Sequence, residues 1–338
     1  MIETKTQQQG FPATRLRRTR MQAWSRRLVR ENHLTVDNLI WPLFIREGDG
    51  KPEPVEALPG VFRLSIADAV DHARKAHDLG IPAIALFPRI NPDDKDEDGS
   101  KATDASNLVC RCVAAVREAV PGIGIITDVA LDPFTSHGHD GVIRDGRVDN
   151  DATVEILVRQ AITQARAGAT IIAPSDMMDG RVAAIRKGLD DEGFTDVMIM
   201  SYAAKYASCF YGPFRDAVGA GKAASTIGKD TYQMDPANSD EAMREIELDI
   251  AEGADLIIVK PGLPYLDIIQ RASERFEIPV IAYQVSGEYA MIEAAAAAGH
   301  LDRDRAIQEA LIAFRRAGCT AILTYYAAEI AALLQDGN

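Results

Sequence analysis

Short runs of aliphatic and β-branched residues recur along the chain, and each is followed by a segment whose apolar residues repeat at helical spacing. The runs predict strands at Leu39–Ile45, Ala83–Phe87, Gly124–Val129, Thr170–Ala173, Val197–Met200, Leu256–Val259, Val280–Tyr283 and Ala321–Leu323. Between them the spacing predicts helices, among them Ser65–Leu79, Ala152–Ala167, Ser239–Glu252 and Arg303–Ala317. Gly80, Gly168, Gly253 and Gly318 stand as their C-terminal stops, each a few residues before a strand. Strands alternating with helices build a parallel sheet. Eight of them predict a closed (β/α)8 TIM barrel. An open doubly wound sheet would call for a glycine-rich phosphate fingerprint after the first strand, and none is there.

A barrel carries its active site on the loops at the C-terminal ends of its strands. Those ends read Phe87, Asp128, Ser175 with Asp176, Lys205, Lys260, Ser286 and Tyr325. Lys260 closes the run Leu256-Ile257-Ile258-Val259, and Lys205 follows Met198-Ile199-Met200 across Ser201 to Ala204. A lysine leaving a buried strand can lose its proton near neutral pH and become a nucleophile toward ketones and aldehydes. Two such amines on adjacent strands depress one another further and point to covalent capture of two carbonyls. The small residues around Lys205 leave room for a substrate, and the turn Pro261-Gly262-Leu263-Pro264 fixes the approach of Lys260.

Composition narrows the class. The chain has 338 residues, 47% of them hydrophobic, enough for a large core. No apolar stretch is long enough to cross a bilayer, and Met1 to Gly10 lacks the apolar segment of a secretion signal, so a cytoplasmic protein is expected. Cys110, Cys112, Cys209 and Cys319 form neither a disulfide framework nor a C-x-x-C pattern and read as reduced thiols. The net charge is -13, yet Arg15, Arg17, Arg18, Arg20, Arg26, Arg27 and Arg30 crowd the opening segment. Mixed with Phe11, Pro12, Leu16, Trp24 and Leu28, they suggest an arm at residues 1–36 that packs on a neighbouring subunit rather than on nucleic acid, ahead of a catalytic barrel at 37–338.

Two long loops, Arg89–Thr103 and Gly212–Asn238, are candidate lids. A third stretch, Asp128 to Asp140, is rich in carboxylates and imidazoles. Asp132 and Asp140 are hard oxygen donors that suit magnesium or no tightly held metal, and His137 and His139 could equally be hydrogen-bonded loop residues.

Four segments together carry a resemblance. They are Thr135-Ser136-His137-Gly138-His139, Ala173-Pro174-Ser175-Asp176-Met177-Met178-Asp179-Gly180-Arg181, Ser208-Cys209-Phe210-Tyr211-Gly212-Pro213-Phe214-Arg215-Asp216-Ala217 and Val259-Lys260-Pro261-Gly262. With both lysines, and over nearly the whole length, the chain resembles the porphobilinogen synthase (5-aminolevulinate dehydratase) family of tetrapyrrole and heme biosynthesis. The resemblance implies a hydro-lyase that condenses two molecules of 5-aminolevulinate with loss of two waters. Lys205 and Lys260 would form the Schiff bases. Ser286 and Tyr325 would bind the carboxylate of the substrate on Lys260, and Arg215, Lys229 and Gln233 that of the substrate on Lys205. Asp128, Ser175 and Asp176 would orient the amino group and move protons.

One departure stands out. Many relatives carry three zinc-binding cysteines where this chain has Ala130, Asp132 and Asp140. The chain is therefore similar to the zinc-independent branch, for which no catalytic zinc and no organic cofactor are expected. Glu245 matches a position associated with allosteric magnesium, and the basic arm fits a homo-octamer of arm-exchanging dimers. Two rival readings are a class I aldolase, which needs only one such lysine, and a non-catalytic barrel that binds a carboxylate.

Overall fold

The computed structural model describes residues 10–219 and 227–336. The polar start at residues 1–9 and the part of the second expected lid at residues 220–226 lie outside them. Two units separate, Met1–His33 and Leu34–Asn338. The first carries a short 3-10 helix, Leu16–Arg20, and a short α-helix, Ala23–Leu28. Phe11, Leu16, Met21, Trp24, Leu28 and Val29 are all exposed on it.

The second unit is a closed parallel barrel. Its strands are β1 (Leu39–Arg46), β2 (Ala83–Arg89), β3 (Gly124–Val129), β4 (Ile171–Pro174), β5 (Met198–Lys205), β6 (Leu256–Lys260), β7 (Val280–Tyr283) and β8 (Ala321–Leu323). Each pairs with the next, and β8 returns to β1 through Leu39↔Ile322 and Ile40↔Leu323. The strands are near-continuous apolar runs because both faces are covered, the inner by opposing side chains and the outer by helices.

The outer layer consists of α1 (Ile66–Asp78), α2 (Leu108–Ala119), α3 (Asn150–Ala167), α4 (Arg181–Asp191), α5 (Asp240–Ala251), α6 (Leu266–Arg275), α7 (Ser286–Ala297), α8 (Arg303–Arg316) and α9 (Ala327–Asp336). Local chemistry sets their ends. Ser65 accepts from Asp68 N at 3.1 Å while the Asp68 carboxylate accepts from Ser65 N at 3.2 Å, a reciprocal cap that contributes about 1 kcal/mol. Gly168 ends α3 at φ 109°, a left-handed backbone that a side chain would strain.

The expected eight-stranded barrel is the observed one, with one instructive difference at β5. The strand runs on to Lys205 instead of stopping at Met200. Ser201, Ala203 and Ala204 lack the branched apolar character that marks a buried strand, yet all are buried and the ladder to β6 continues through them. That ladder contains a bulge: Ile257 faces Ser201 and Val259 faces Ala204, so two residues of β5, Tyr202 and Ala203, oppose one of β6, Ile258. Of the two expected lids, the Arg89–Thr103 loop is tied down, Asp96 N donating to Phe134 O at 3.3 Å and Ser136 N to Asp96 O at 2.8 Å.

Candidate active site

Past the bulge, Lys205 and Lys260 are register partners at the C-terminal ends of β5 and β6. Neighbours in register on a parallel pair point to the same face, so both amines enter the barrel mouth. A regular ladder would have set Lys260 opposite Ala204, leaving Lys205 turned away.

The two lysines have unlike surroundings. Lys260 Nζ stands 5.0 Å from the rings of Tyr211, Phe214 and Tyr283 and 5.2 Å from that of Tyr202. Ring faces favour an ammonium, but burial, followed by the charge of Lys205, pushes the Lys260 amine down to about 7. Lys205 Nζ instead donates to Asp140 Oδ1 at 3.2 Å and to the Ser175 carbonyl.

Asp140 is a hub. Its other oxygen accepts from Lys229 Nζ and from the Tyr232 hydroxyl, each at 2.7 Å. Burial alone would raise its carboxyl, and the two ammoniums reverse that and hold it well below the usual carboxylate range. Lys229 also reaches Asp132 Oδ2 at 3.4 Å. Burial opposes its charge, but Asp132 and Asp140 lift the amine to about 12. Asp132 and Asp140 thus share an ammonium, and among the described residues no group of three or more His, Cys, Asp or Glu side chains is arranged to enclose a metal. Without thiolates, and with both carboxylates engaged by lysines, this loop does not fit zinc.

Asp128 and Asp176 supply titratable carboxyls near neutrality. Burial, then the Asp132 charge, raises Asp128 to about 6, although a hydrogen bond from Ser175 and the two site lysines pull the other way. Burial raises Asp176 to about 7 against the opposing pull of Arg181. Asp128 Oδ1 and Asp176 Oδ2 are both buried, with no hydrogen-bond partner among the described residues.

Asp128, Ser175, Lys205, Arg215, Lys229, Gln233 and Lys260 line one small cavity, together with Asp132, Tyr211 and Phe214. Arg215, at the exposed rim, has no ion-pair partner among the described residues, since Arg63 takes Asp216 at 3.9 Å. Ser286 and Tyr325 stand behind the rings. Ser286 Oγ accepts from Phe214 N at 2.9 Å and donates to Phe210 O at 3.3 Å, while the Tyr325 hydroxyl meets that of Tyr283 at 3.3 Å. Beside Ser286, a Cβ on Gly287 would come within 2.5 Å of the Phe210 carbonyl, so only glycine lets the segment after Lys205 seat there. Glu245 is not among these residues. It lies on α5, lining a larger cavity of about 570 Å³ with Asp179, Glu241, Tyr232 and Gln233, and of these Gln233 also lines the small one.

Several working groups escape the sequence reading. The aromatic box around Lys260, the Tyr232 hydroxyl on Asp140 and the pairing of Arg181 with Asp249 join residues that no local pattern links. Only adjacency hinted at two of them: Tyr232 precedes Gln233, and Arg181 ends one of the telling motifs.

Fold and site together define a protein of the (β/α)8-barrel class with paired lysines at the mouth of the barrel. The family model for delta-aminolevulinic acid dehydratase matches residues 13–333, and the chain belongs to that family. It is 60% identical over 323 residues to the delta-aminolevulinic acid dehydratase of Bradyrhizobium diazoefficiens, covering 96% of this chain and 91% of that protein. To the Rhodobacter capsulatus enzyme of the same name it is 50% identical, covering 96% and 97%. A crystal structure from Toxoplasma gondii ME49, in complex with the reaction product porphobilinogen, superposes with a TM-score of 0.94 at 46% identity, covering 96% of this chain and 92% of that one.

Proposed function

We propose that this chain makes porphobilinogen from two molecules of 5-aminolevulinate by holding one on each lysine as an imine. Family membership makes it a delta-aminolevulinic acid dehydratase, that is, a porphobilinogen synthase and a lyase of tetrapyrrole biosynthesis. The observation that carries the two-imine reading is the register pairing of Lys205 with Lys260, the latter amine held near 7. A neutral amine adds to the keto carbon, and loss of water leaves the imine. Burial and the neighbouring Lys205 charge favour the neutral amine at Lys260, which has no carboxylate hydrogen bond among the described residues.

The substrate carboxylates need cations. For the molecule on Lys205 these are Arg215 and Lys229, with Gln233, whose buried Oε1 has no hydrogen-bond partner among the described residues. Lys229 would exchange part of its hold on Asp132 and Asp140 for the ligand. Ser286 and Tyr325 take the carboxylate of the molecule on Lys260. Asp128 and Asp176, titrating near neutrality, suit proton movement between intermediates, with Ser175 orienting the amino group.

Magnesium fits at Glu245 better than at Asp132 and Asp140. Burial raises the Glu245 carboxyl, and the negative charges of Asp249, Asp179 and Glu241 raise it further against the opposing charge of Arg181, a field that a hard cation would relieve. Glu245 would hold the ion largely through its water shell, away from the chemistry, and favour the active assembly. The apolar side chains exposed on the segment up to His33 support the exchange of arms between subunits in an octamer. Four free thiols are in keeping with a cytoplasmic protein.

The test is an assay of porphobilinogen from 5-aminolevulinate with metal-stripped protein, then with magnesium or zinc returned. Product raised by magnesium and not by zinc supports the reading. No product from folded protein under any condition contradicts it.

A further inference from the structure

Behind the active site, in the layer between barrel and helices, lies a fully buried network centred on Arg181 at the start of α4. Its Nη1 and Nη2 reach Asp249 Oδ1 and Oδ2 of α5 at 3.3 and 3.2 Å. Nη2 also donates to Ser201 Oγ at 3.1 Å and to the Tyr202 carbonyl at 3.2 Å, and Nη1 to the Met178 carbonyl at 3.3 Å. Ser201 Oγ in turn donates to Asp249 Oδ2 at 2.5 Å. Ser201 is the last paired residue before the β5 bulge, and Tyr202 is the first residue in it.

Position along β5 gives the network its meaning. Ser201 and Lys205 are four residues apart and would share a face on a regular strand. Here Ser201 faces Arg181 and Asp249 in the outer layer, and Lys205 faces the barrel mouth, because the extra residue reverses the alternation between them. The guanidinium grips the strand on the outer side of that reversal. Its remaining nitrogen, Nε, points at Asp176, the buried neighbour of cavity-lining Ser175, 3.6 Å from an oxygen that, like Nε itself, has no hydrogen-bond partner among the described residues.

We propose that Arg181, braced by Asp249, is a positioning residue for the reaction: it clamps the β5 bulge that aims Lys205 into the site and sets Asp176 beside it. A planar fork with five donors suits a grip on two carboxylates, a hydroxyl and two carbonyls at once, which a lysine cannot reproduce. The inference rests on the two-imine reading of the site.

The experiment compares wild-type protein with Arg181→Lys, Asp249→Asn and Ser201→Ala, each confirmed folded by circular dichroism. Each is incubated with 5-aminolevulinate and borohydride, and adducts are quantified separately at Lys205 and Lys260 by peptide mass spectrometry. The pH profile of kcat/KM is recorded alongside. Expected is a loss of adduct at Lys205 with adduct at Lys260 kept, a fall in kcat/KM of roughly a hundredfold for Arg181→Lys, and a shifted pH profile. Should Arg181→Lys or Asp249→Asn fail to fold, Ser201→Ala, which removes a single hydroxyl from the bulge, decides by the same readouts. Unchanged labelling at Lys205 together with an unchanged pH profile in a folded variant overturns the clamp. No adduct on either lysine of the wild-type protein overturns instead the two-imine reading on which the clamp rests.

Discussion

Lys205 and Lys260 are Cα partners across the β5–β6 ladder, and they are so only because β5 carries one residue more than β6 between Ser201 and Ala204. The pairing sets two amines side by side in a buried site while giving them different electrostatic partners. Asp140 takes the ammonium of Lys205, and four aromatic rings surround that of Lys260. Two chemically equal side chains are thereby given unequal settings.

The first consequence is a pH limb. Lys260, pushed down to about 7 by burial and by Lys205, is the reactive neutral amine above that value and an ammonium below it. The kcat/KM for 5-aminolevulinate is therefore expected to rise through about pH 7 and to fall about tenfold per unit on the acid side. Replacing Lys205 by Met removes the neighbouring charge and is expected to move the labelling rate of Lys260 by a carbonyl probe to a higher midpoint. A midpoint unchanged in that variant would show that the charge of Lys205 does not act on Lys260.

Asp140→Asn tests the hub. The wild-type carboxyl is depressed, so its stabilisation is present above the unfolded value of 3.8 and lost as pH falls through the folded one. The variant leaves Lys205 and Lys229 without their shared carboxylate at a buried place, at a cost of about 3–5 kcal/mol near neutral pH. Melting temperature against pH should show a large gap between the two proteins at pH 7 that closes in strong acid. Equal melting temperatures at pH 7 would remove the hub from the account.

Glu288 carries the opposite sign. It lies wholly buried in α7, accepting from Leu263 N and Val285 N, and burial raises it from 4.5 to about 8 against those donors. A raised carboxyl favours the fold below its unfolded value and loses that contribution as pH climbs through the folded one. Glu288→Gln should therefore flatten the decline of melting temperature between about pH 4.5 and 8. A variant whose decline matches wild type would contradict this.

Much of this was legible in the sequence. Aliphatic runs such as Leu256–Val259 are strands because a barrel strand is covered on both faces, and Ser65 and Asp68 cap a helix locally. Both the number of strands and the catalytic face follow from such signals. Less visible was what depends on partners distant in sequence. The bulge is a relation between β5 and β6, not a property of either, and Ser201, Ala203 and Ala204 carry no strand signal of their own. Arg181 and Asp249 are separated by 68 residues and meet only once α4 and α5 pack against β5. Lys229 rests on Asp132 and Asp140, partners 97 and 89 residues away that its own neighbourhood in the chain does not announce. Glu245 lines the larger cavity, which shares Gln233 with the smaller one.

Magnesium should act at that second cavity. Glu245→Gln removes the charge of the one carboxylate proposed to hold the ion and leaves Lys205 and Lys260 untouched. Stimulation of porphobilinogen formation by magnesium is expected to need at least tenfold more of the ion in the variant, roughly the loss of one charged ligand at an oxygen site. Borohydride-trapped adduct at the lysines should persist. An identical magnesium response would place the ion elsewhere.

The central claim is that two amines, and not one, capture substrate. Wild-type protein, Lys205→Met and Lys260→Met are each incubated with 5-aminolevulinate, reduced with borohydride, and weighed intact by mass spectrometry. Adducts on both lysines in the wild type, one in each variant, and porphobilinogen formation reduced by roughly four orders of magnitude or more in both variants are the predicted result. A wild-type adduct confined to one lysine, with substantial turnover kept when the other is replaced, would contradict it and leave a one-lysine aldolase-type mechanism.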